Sequence, residues 1–204
     1  MRVLDLGCGR AMTSVFLARE FGVTVWAADL WIEPTENWER IRAGGLQDVV
    51  YPMKAEAHDL PFPDGFFDAV VSVDAYQYFG TDDLYIGYIT RFLRPGGRLA
   101  IAAPGLVEEL DAVPEHLEPF GEWDFACFHT PQWWRRHWEF SGRVEVEVAE
   151  HQRYGWRHWR RWSDMCAAAS DREFVRTMSV RSAKMLEVDA GRTFTFPLVV
   201  GRVP

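Results

Sequence analysis

Along the first hundred positions, apolar residues fall into two alternating patterns. Short, nearly continuous runs at Arg2–Leu6 (RVLDL), Val23–Ala28 (VTVWAA), Val49–Met53, Phe67–Val73 (FDAVVSV) and Arg98–Ala103 have the length and closeness of buried strands. Between them lie stretches with helical spacing. Thr13–Phe21 carries Val15, Phe16 and Ala18 and closes at Gly22, and Pro34–Arg42 opens on a proline suited to a first turn and closes at Gly44-Gly45. Thr81–Leu93 carries Leu84, Ile86, Ile89, Phe92 and Leu93 and closes at Pro95-Gly96-Gly97. His58–Gly65 holds two prolines and a glycine and reads as a loop. Strands alternating with helices predict βαβ crossovers, a mainly parallel sheet, and ligands bound beyond the carboxyl ends of its strands.

After Pro104 the pattern changes. Glu108–Asp124 holds seven acids (Glu108, Glu109, Asp111, Glu115, Glu118, Glu122, Asp124), two prolines and no Lys or Arg, which predicts a loop-rich segment. Thr130-Pro131 then caps a helix, QWWRRHWEF, that stops at Ser141-Gly142. Arg143–Ala149 alternates V-E-V-E-V, a strand with one wet face. Two helices follow, over Trp156–Ala169 and Arg172–Val188, the second opened by a Ser170-x-x-Glu173 capping box. Thr193–Val200 is the last strand, and Pro197 within it points to an edge or a bulge.

At 204 residues, with 48% hydrophobic and 25% charged side chains, the chain fits a single globular domain with a sizeable core. Its net charge of −8, with Lys54 and Lys184 its only lysines, argues against a nucleic-acid partner. Cys8, Cys127 and Cys166 are odd in number and far apart, which suggests neither a disulfide framework nor a metal site and fits a reducing compartment. Arg2 and Asp5 stand where a signal peptide would be apolar, and no long apolar run exists, so a cytoplasmic protein without membrane partners is expected.

The most informative residues are Val3–Ala11, VLDLGCGRA. A strand ending in Gly-x-Gly and running into a helix lets the backbone approach a ligand closely and presents free amide groups to it. A dinucleotide fingerprint would place its third glycine at position 12, where this chain has Met12. The run Asp5-Leu6-Gly7-Cys8-Gly9-Arg10-Ala11 instead resembles motif I of class I S-adenosylmethionine-dependent methyltransferases, with Ala11 in place of the third glycine. Three further segments carry the resemblance in the same order. They are Asp29 at the end of VTVWAAD, then Glu56-Ala57-His58-Asp59-Leu60-Pro61-Phe62, then FDAVVSVDAYQYF with RFLRPGGRLAIAAPG. The chain resembles the ubiquinone/menaquinone-biosynthesis-like branch that acts on small molecules.

The resemblance implies a Rossmann-like sheet, mostly parallel with an antiparallel last strand, helices on both faces and a helical insertion before that strand. It divides residues 1–204 into a cofactor-binding half, 1–105, and substrate-covering segments, 106–142 and 151–190. It implies S-adenosylmethionine as methyl donor and S-adenosylhomocysteine as product, with a small molecule as acceptor. Asp5 would orient the glycine loop, and Gly7, Cys8 and Gly9 would admit the cofactor. Asp29 and Leu30 would meet the ribose side; Glu56, Ala57 and His58 the adenine side; Ser72 and Asp74 the methionine end. Tyr76, just past the fourth strand, and His129, before the Thr130 cap, are the candidate catalytic residues.

Each has a structural alternative: a helix cap for Asp29, a water-facing role for Glu56, a turn for His58, packing for Tyr76 and Tyr78, and hydrogen-bonded structure for His129 and His137. Seven tryptophans between Trp123 and Trp162 make either an internal interface or an aromatic wall for an apolar or cationic substrate. A cofactor-binding module without turnover, or a nucleic-acid or lipid methyltransferase, remains an alternative function, although Ser72-Val73-Asp74-Ala75 lacks the Pro-Pro-aromatic motif of amino-group DNA methyltransferases. Relatives usually carry a helical lead-in before the first strand. A start at that strand implies a shortened chain whose cofactor pocket is open, or closed by the tryptophan-rich half or by a second subunit in a homodimer.

Overall fold

The computed structural model describes every residue of the chain except Glu122, one of the seven acids of the 108–124 segment. Strand β1 (Arg2–Leu6) is buried on both faces from Val3 onward because it lies inside a seven-stranded sheet. It pairs in parallel with β2 (Thr24–Asp29) and β4 (Phe67–Val73), and the parallel run continues to β3 (Val50–Lys54) beyond β2 and β5 (Leu93–Ala102) beyond β4. β9 (Pro197–Arg202) runs antiparallel to β5 and to β7 (Glu145–His151), giving the order β3-β2-β1-β4-β5-β9-β7. A separate two-residue pair joins β6 (Gly105–Leu106) to β8 (Phe194–Thr195).

Alternation along the strands sends side chains to two cores. Val3, Val25 and Val50 pack with Ala18 of α1 (Met12–Phe21) and Ile41 of α2 (Pro34–Ala43). Leu4, Val70 and Leu99 pack on the other face with Ile86 and Ile89 of α3 (Tyr85–Thr90) and Trp134 and Trp138 of α4 (Pro131–Phe140). A third cluster gathers Leu117 of the acidic segment and Phe125 and Phe128 just after it with Phe194 and with Leu186 of α6 (Glu173–Asp189), which is paired lengthwise with α5 (Gly155–Ala169). The acidic segment and the residues after it therefore hold short 3-10 helices, at Glu115–Phe120 and Trp123–Cys127, pinned by aromatic side chains.

Four local expectations change. The helix expected over 81–93 is confined to Tyr85–Thr90, because Asp82 Oδ1 accepts a hydrogen bond from Leu84 N at 2.8 Å and holds the preceding residues in a turn. β5 starts before the Pro95-Gly96-Gly97 turn, which is looped out between Leu93 and Arg98 in its pairing with β4. The capping box does not form: Ser170 ends α5, its Oγ accepts from Arg172 N, and α6 begins at Glu173 with Arg172 as an uncapped N-cap. Pro197 does not mark an edge. It opens β9, which lies inside the sheet, where the first residue of a strand tolerates the missing donor, and the chain breaks at Phe196 between β8 and β9.

Candidate cofactor and acceptor site

The turn after β1 is built from backbone that only a few residues adopt. Gly7 and Gly9 have φ of 74° and 52°, and Ala11, in the place of the third glycine, is itself left-handed at 57°, a strain of about 1 kcal/mol for a residue with a Cβ. At Gly7 a Cβ would stand 2.3 Å from Ala75 Cβ, so the turn after β1 lies directly against the turn after β4. At Gly9 a Cβ would meet nothing within 4 Å, so that side of the loop is open.

Both flanks of the loop are fixed by hydrogen bonds. Gly7 N and Cys8 N donate to Ala28 O at 2.9 and 3.0 Å, and Gly9 N donates to Asp29 Oδ2 at 2.8 Å. Asp29 Oδ1 accepts from Trp31 N and Ile32 N at 2.8 and 2.9 Å, so the carboxylate ties the loop to the turn after β2. Asn37 of α2, buried, donates through Nδ2 to Gly9 O at 2.9 Å. Asp5 lies behind the loop, buried, with Oδ2 accepting from Ser14 Oγ and Oδ1 without a partner. Burial, with Asp29 nearby, raises its pKa to about 7.

The loop opens on a cavity of about 460 Å³. One wall is Gly7–Arg10 with Val73 and Asp74 at the end of β4. The other is one face of α5, with Gly155, His158, Trp159 and Trp162 at i, i+3, i+4 and i+7, joined by Gln152 and Phe196. α5 reaches this position because Tyr154 turns the chain at φ 62° and Gly155 has no side chain: a Cβ there would stand 2.6 Å from Phe196 Cβ. The far end of the α5–α6 pair is tied back to α2, where Arg172 Nη2 lies 3.2 Å from Glu36 Oε2 and Arg10 Nη2 lies 3.1 Å from Glu36 Oε1. Asp74 is left-handed, at φ 58°, with its backbone nitrogen donating to Ala102 O. Asp74 is exposed, open to the cavity, and desolvation by the surrounding protein raises its pKa to about 6, with Gln77 opposing the shift.

The residues expected at the site divide. Gly7, Cys8, Gly9 and Asp74 line the cavity. Asp5 and Asp29 stand behind its floor, and Leu30 is half exposed beside it, at the carboxyl end of β2. Glu56 is exposed and held by His58: its Oε2 accepts from His58 N and its Oε1 lies 2.9 Å from His58 Nδ1, which lowers its pKa. Ala57 is buried and its carbonyl accepts from the Tyr85 hydroxyl. His58 lines a second, shallower groove with Tyr78 and Leu84.

Three expectations are corrected. Ser72 is fully buried, and its Oγ donates to Leu6 O at 2.7 Å; it stitches β4 to β1 and does not face the cavity. Tyr76 is not among the residues lining the cavity: its ring is fully buried against Tyr85, Trp134 and Trp138, and burial drives its hydroxyl pKa up. His129 is not among the residues lining the cavity; its ring stacks on Trp133 at 3.7 Å and its Nδ1 pairs with Glu109 at 2.9 Å. His137 stacks on Trp133 at 4.6 Å, with Nε2 3.2 Å from Gly80 O.

The tryptophans serve both expected ends. Trp134 and Trp138 fill the core, while Trp159 and Trp162 face the cavity. Asn37, Gln152, His158 and Phe196 escaped the sequence reading. The i, i+3, i+4, i+7 spacing of Gly155, His158, Trp159 and Trp162 was a legible signal for one shared face.

Residues 4–101 match the family described as methyltransferase domain. Methyltransferase GfsG of Streptomyces halstedii is 38% identical over 102 residues, covering 50% of this chain and 37% of that protein. A solved geranyl diphosphate methyltransferase in complex with S-adenosylmethionine superposes with a TM-score of 0.72 at 20% identity, covering all of this chain and 78% of that one. The [4+2]-cyclase SpnF superposes at 0.73 with 19% identity, covering all of this chain and 74% of that one. At such identities the two structures speak for the fold alone. The chain spans between 18% and 57% of the lengths of the first four curated relatives it matches. Among the described residues no helix is long and apolar enough to cross a membrane. With the parallel sheet, its single antiparallel strand and the Gly-x-Gly turn braced by Asp29, residues 4–101 belong to the class I S-adenosylmethionine-dependent methyltransferases.

Proposed function

We propose that the protein transfers a methyl group from S-adenosylmethionine to a small-molecule acceptor held between the glycine loop and α5. The observation that carries this is the open side of Gly9, braced by Asp29 and Asn37, facing an aromatic wall across one cavity. The donor brings an activated sulfonium methyl, so the chain has to bind, align and exclude water. Gly7, Cys8 and Gly9 admit the donor at backbone distance. Asp29 Oδ2, which accepts one amide bond against two at Oδ1, keeps a lone pair suited to a ribose hydroxyl. Leu30, Glu56, Ala57 and His58 flank the adenine side.

Asp5 acts from behind the loop as a positioning residue, through Ser14. Trp159, Trp162 and Phe196 shield the acceptor end, which gives the 151–190 segment its covering role. The net charge of −8 favours a small acceptor over a nucleic acid. Incubating the full chain with methyl-labelled donor and a panel of small amines, alcohols and acids tests the reaction. Label transfer to one class is expected, and none to any of them would contradict it. Binding without methyl transfer is a second reading, because the fold, shared with a [4+2]-cyclase, does not by itself imply methyl transfer. Micromolar affinity for S-adenosylhomocysteine with no transfer to any acceptor would select it.

A further inference from the structure

Among the described residues Asp74 is the one acid of the cavity wall. It follows β4 directly, its backbone nitrogen is fixed to Ala102 O, and its φ of 58° is a left-handed conformation that aspartate and asparagine adopt more readily than other side chains. Among the described residues the polar group acting on its carboxyl is the Gln77 amide, and no cation does so. The cavity's arginine, Arg10, is engaged by Glu36. Trp159, Trp162 and Phe196 line the same cavity. An anionic ligand would meet the like charge of Asp74. A cation on an apolar body would satisfy both the carboxylate and the aromatic faces.

We propose that the acceptor is an amine on an apolar body, its nitrogen held by the Asp74 carboxylate and its body lying against Trp159, Trp162 and Phe196. This rests on the methyltransferase reading, names its substrate class, and gives Asp74 to the acceptor instead of to the methionine end of the donor, where the resemblance put it. In the reaction, one N–H proton passes to an Asp74 oxygen, and the freed nitrogen lone pair bonds to the donor methyl carbon. The carbon–sulfur bond breaks with its electron pair left on sulfur, giving the N-methylated ammonium and the thioether, and Asp74 returns its proton to solvent.

The test is calorimetric titration of the full chain, loaded with S-adenosylhomocysteine at pH 8, with 2-phenylethylamine, 2-phenylethanol and phenylacetate. The wild type should bind the amine at least about tenfold more tightly than the alcohol and the acid most weakly. Asp74→Asn keeps the shape, and asparagine tolerates the left-handed backbone. It should bring amine and alcohol to within about threefold of each other while S-adenosylhomocysteine affinity stays within about threefold of wild type. Equal binding of amine and alcohol by the wild type, a comparison that needs no variant, overturns the proposal. So does a preference that survives Asp74→Asn, or a loss of S-adenosylhomocysteine affinity as large as that for the amine, which would give Asp74 to the donor. Failure of the wild type to bind S-adenosylhomocysteine at all is a different result, and it removes the methyltransferase reading together with this one.

Discussion

Asp29 Oδ2 accepts a hydrogen bond from Gly9 N at 2.8 Å, tying the end of β2 to the turn after β1 across twenty residues of sequence. The same carboxylate accepts from Trp31 N and Ile32 N, so it braces two turns at once before any ligand arrives. Asp29→Ala removes three acceptor contacts and should cost about 1–3 kcal/mol of stability. It should also weaken S-adenosylhomocysteine at least about tenfold while the circular dichroism spectrum stays that of the wild type. Unchanged affinity would take the ribose role from Asp29.

Gly7 and Gly9 differ in what surrounds them, which separates folding from binding. Gly7→Ala drives a methyl into Ala75 and should lower thermal stability severely, by at least about 3 kcal/mol. Gly9→Ala meets no protein atom, so its cost should be the backbone strain of about 1–2 kcal/mol, yet its methyl stands where the donor passes. A folded Gly9→Ala protein that binds S-adenosylhomocysteine like the wild type would place the donor elsewhere.

Burial raises the Asp5 pKa from 3.8 to about 7, so the folded state keeps a proton that the unfolded chain has already released. The folded state then holds more protons than the unfolded one, and stability falls as pH rises through 7 and levels off above it. Across pH 6 to 8 this contributes a loss of about 1.4 kcal/mol. Asp74, with its pKa raised to about 6, acts with the same sign lower in the range. Urea denaturation of wild type and Asp5→Asn at pH 6 and 8 should show the wild type losing more stability by about that amount. Equal losses would contradict the buried, protonatable state of Asp5.

Arg172 joins the start of α6 to Glu36 of α2 at 3.2 Å, and both partners are part-exposed. Arg172→Ala should therefore change global stability by less than about 1 kcal/mol. Hydrogen exchange in α5 and the first turns of α6 should nonetheless speed up, because this contact anchors the end of the helix pair away from its β-sheet stems. Unchanged exchange would show that packing on β8 and Phe196 alone holds the pair over the cavity.

The cofactor half was legible because each of its elements carries its own signal. RVLDL carries Val3, Leu4 and Leu6 in one short run, Gly22 and Pro34 punctuate the helices, and the turn glycines are demanded by backbone angles, so local rules and tertiary structure agree there. Tyr76 and Ser72 misled because the sequence places them one element from the ligand without telling which way a side chain turns. Tyr76 turns into the Trp134–Trp138 core, and Ser72 turns to a strand carbonyl. His129 was named for its chemistry, but its orientation is set by stacking on Trp133 and by Glu109, a contact across 20 residues that no pattern displays. The acceptor wall on α5 had a legible helical face, yet nothing in the sequence says that this face crosses back over Gly9. That placement comes from the Gly155–Phe196 contact and the Arg172–Glu36 ion pair, which are tertiary facts.

Isothermal titration of the folded full chain with S-adenosylhomocysteine tests the central claim most directly. A single site with micromolar or tighter affinity, weakened at least about tenfold in both Asp29→Ala and Gly9→Ala, is expected. Absence of binding by a folded, monodisperse sample would contradict it.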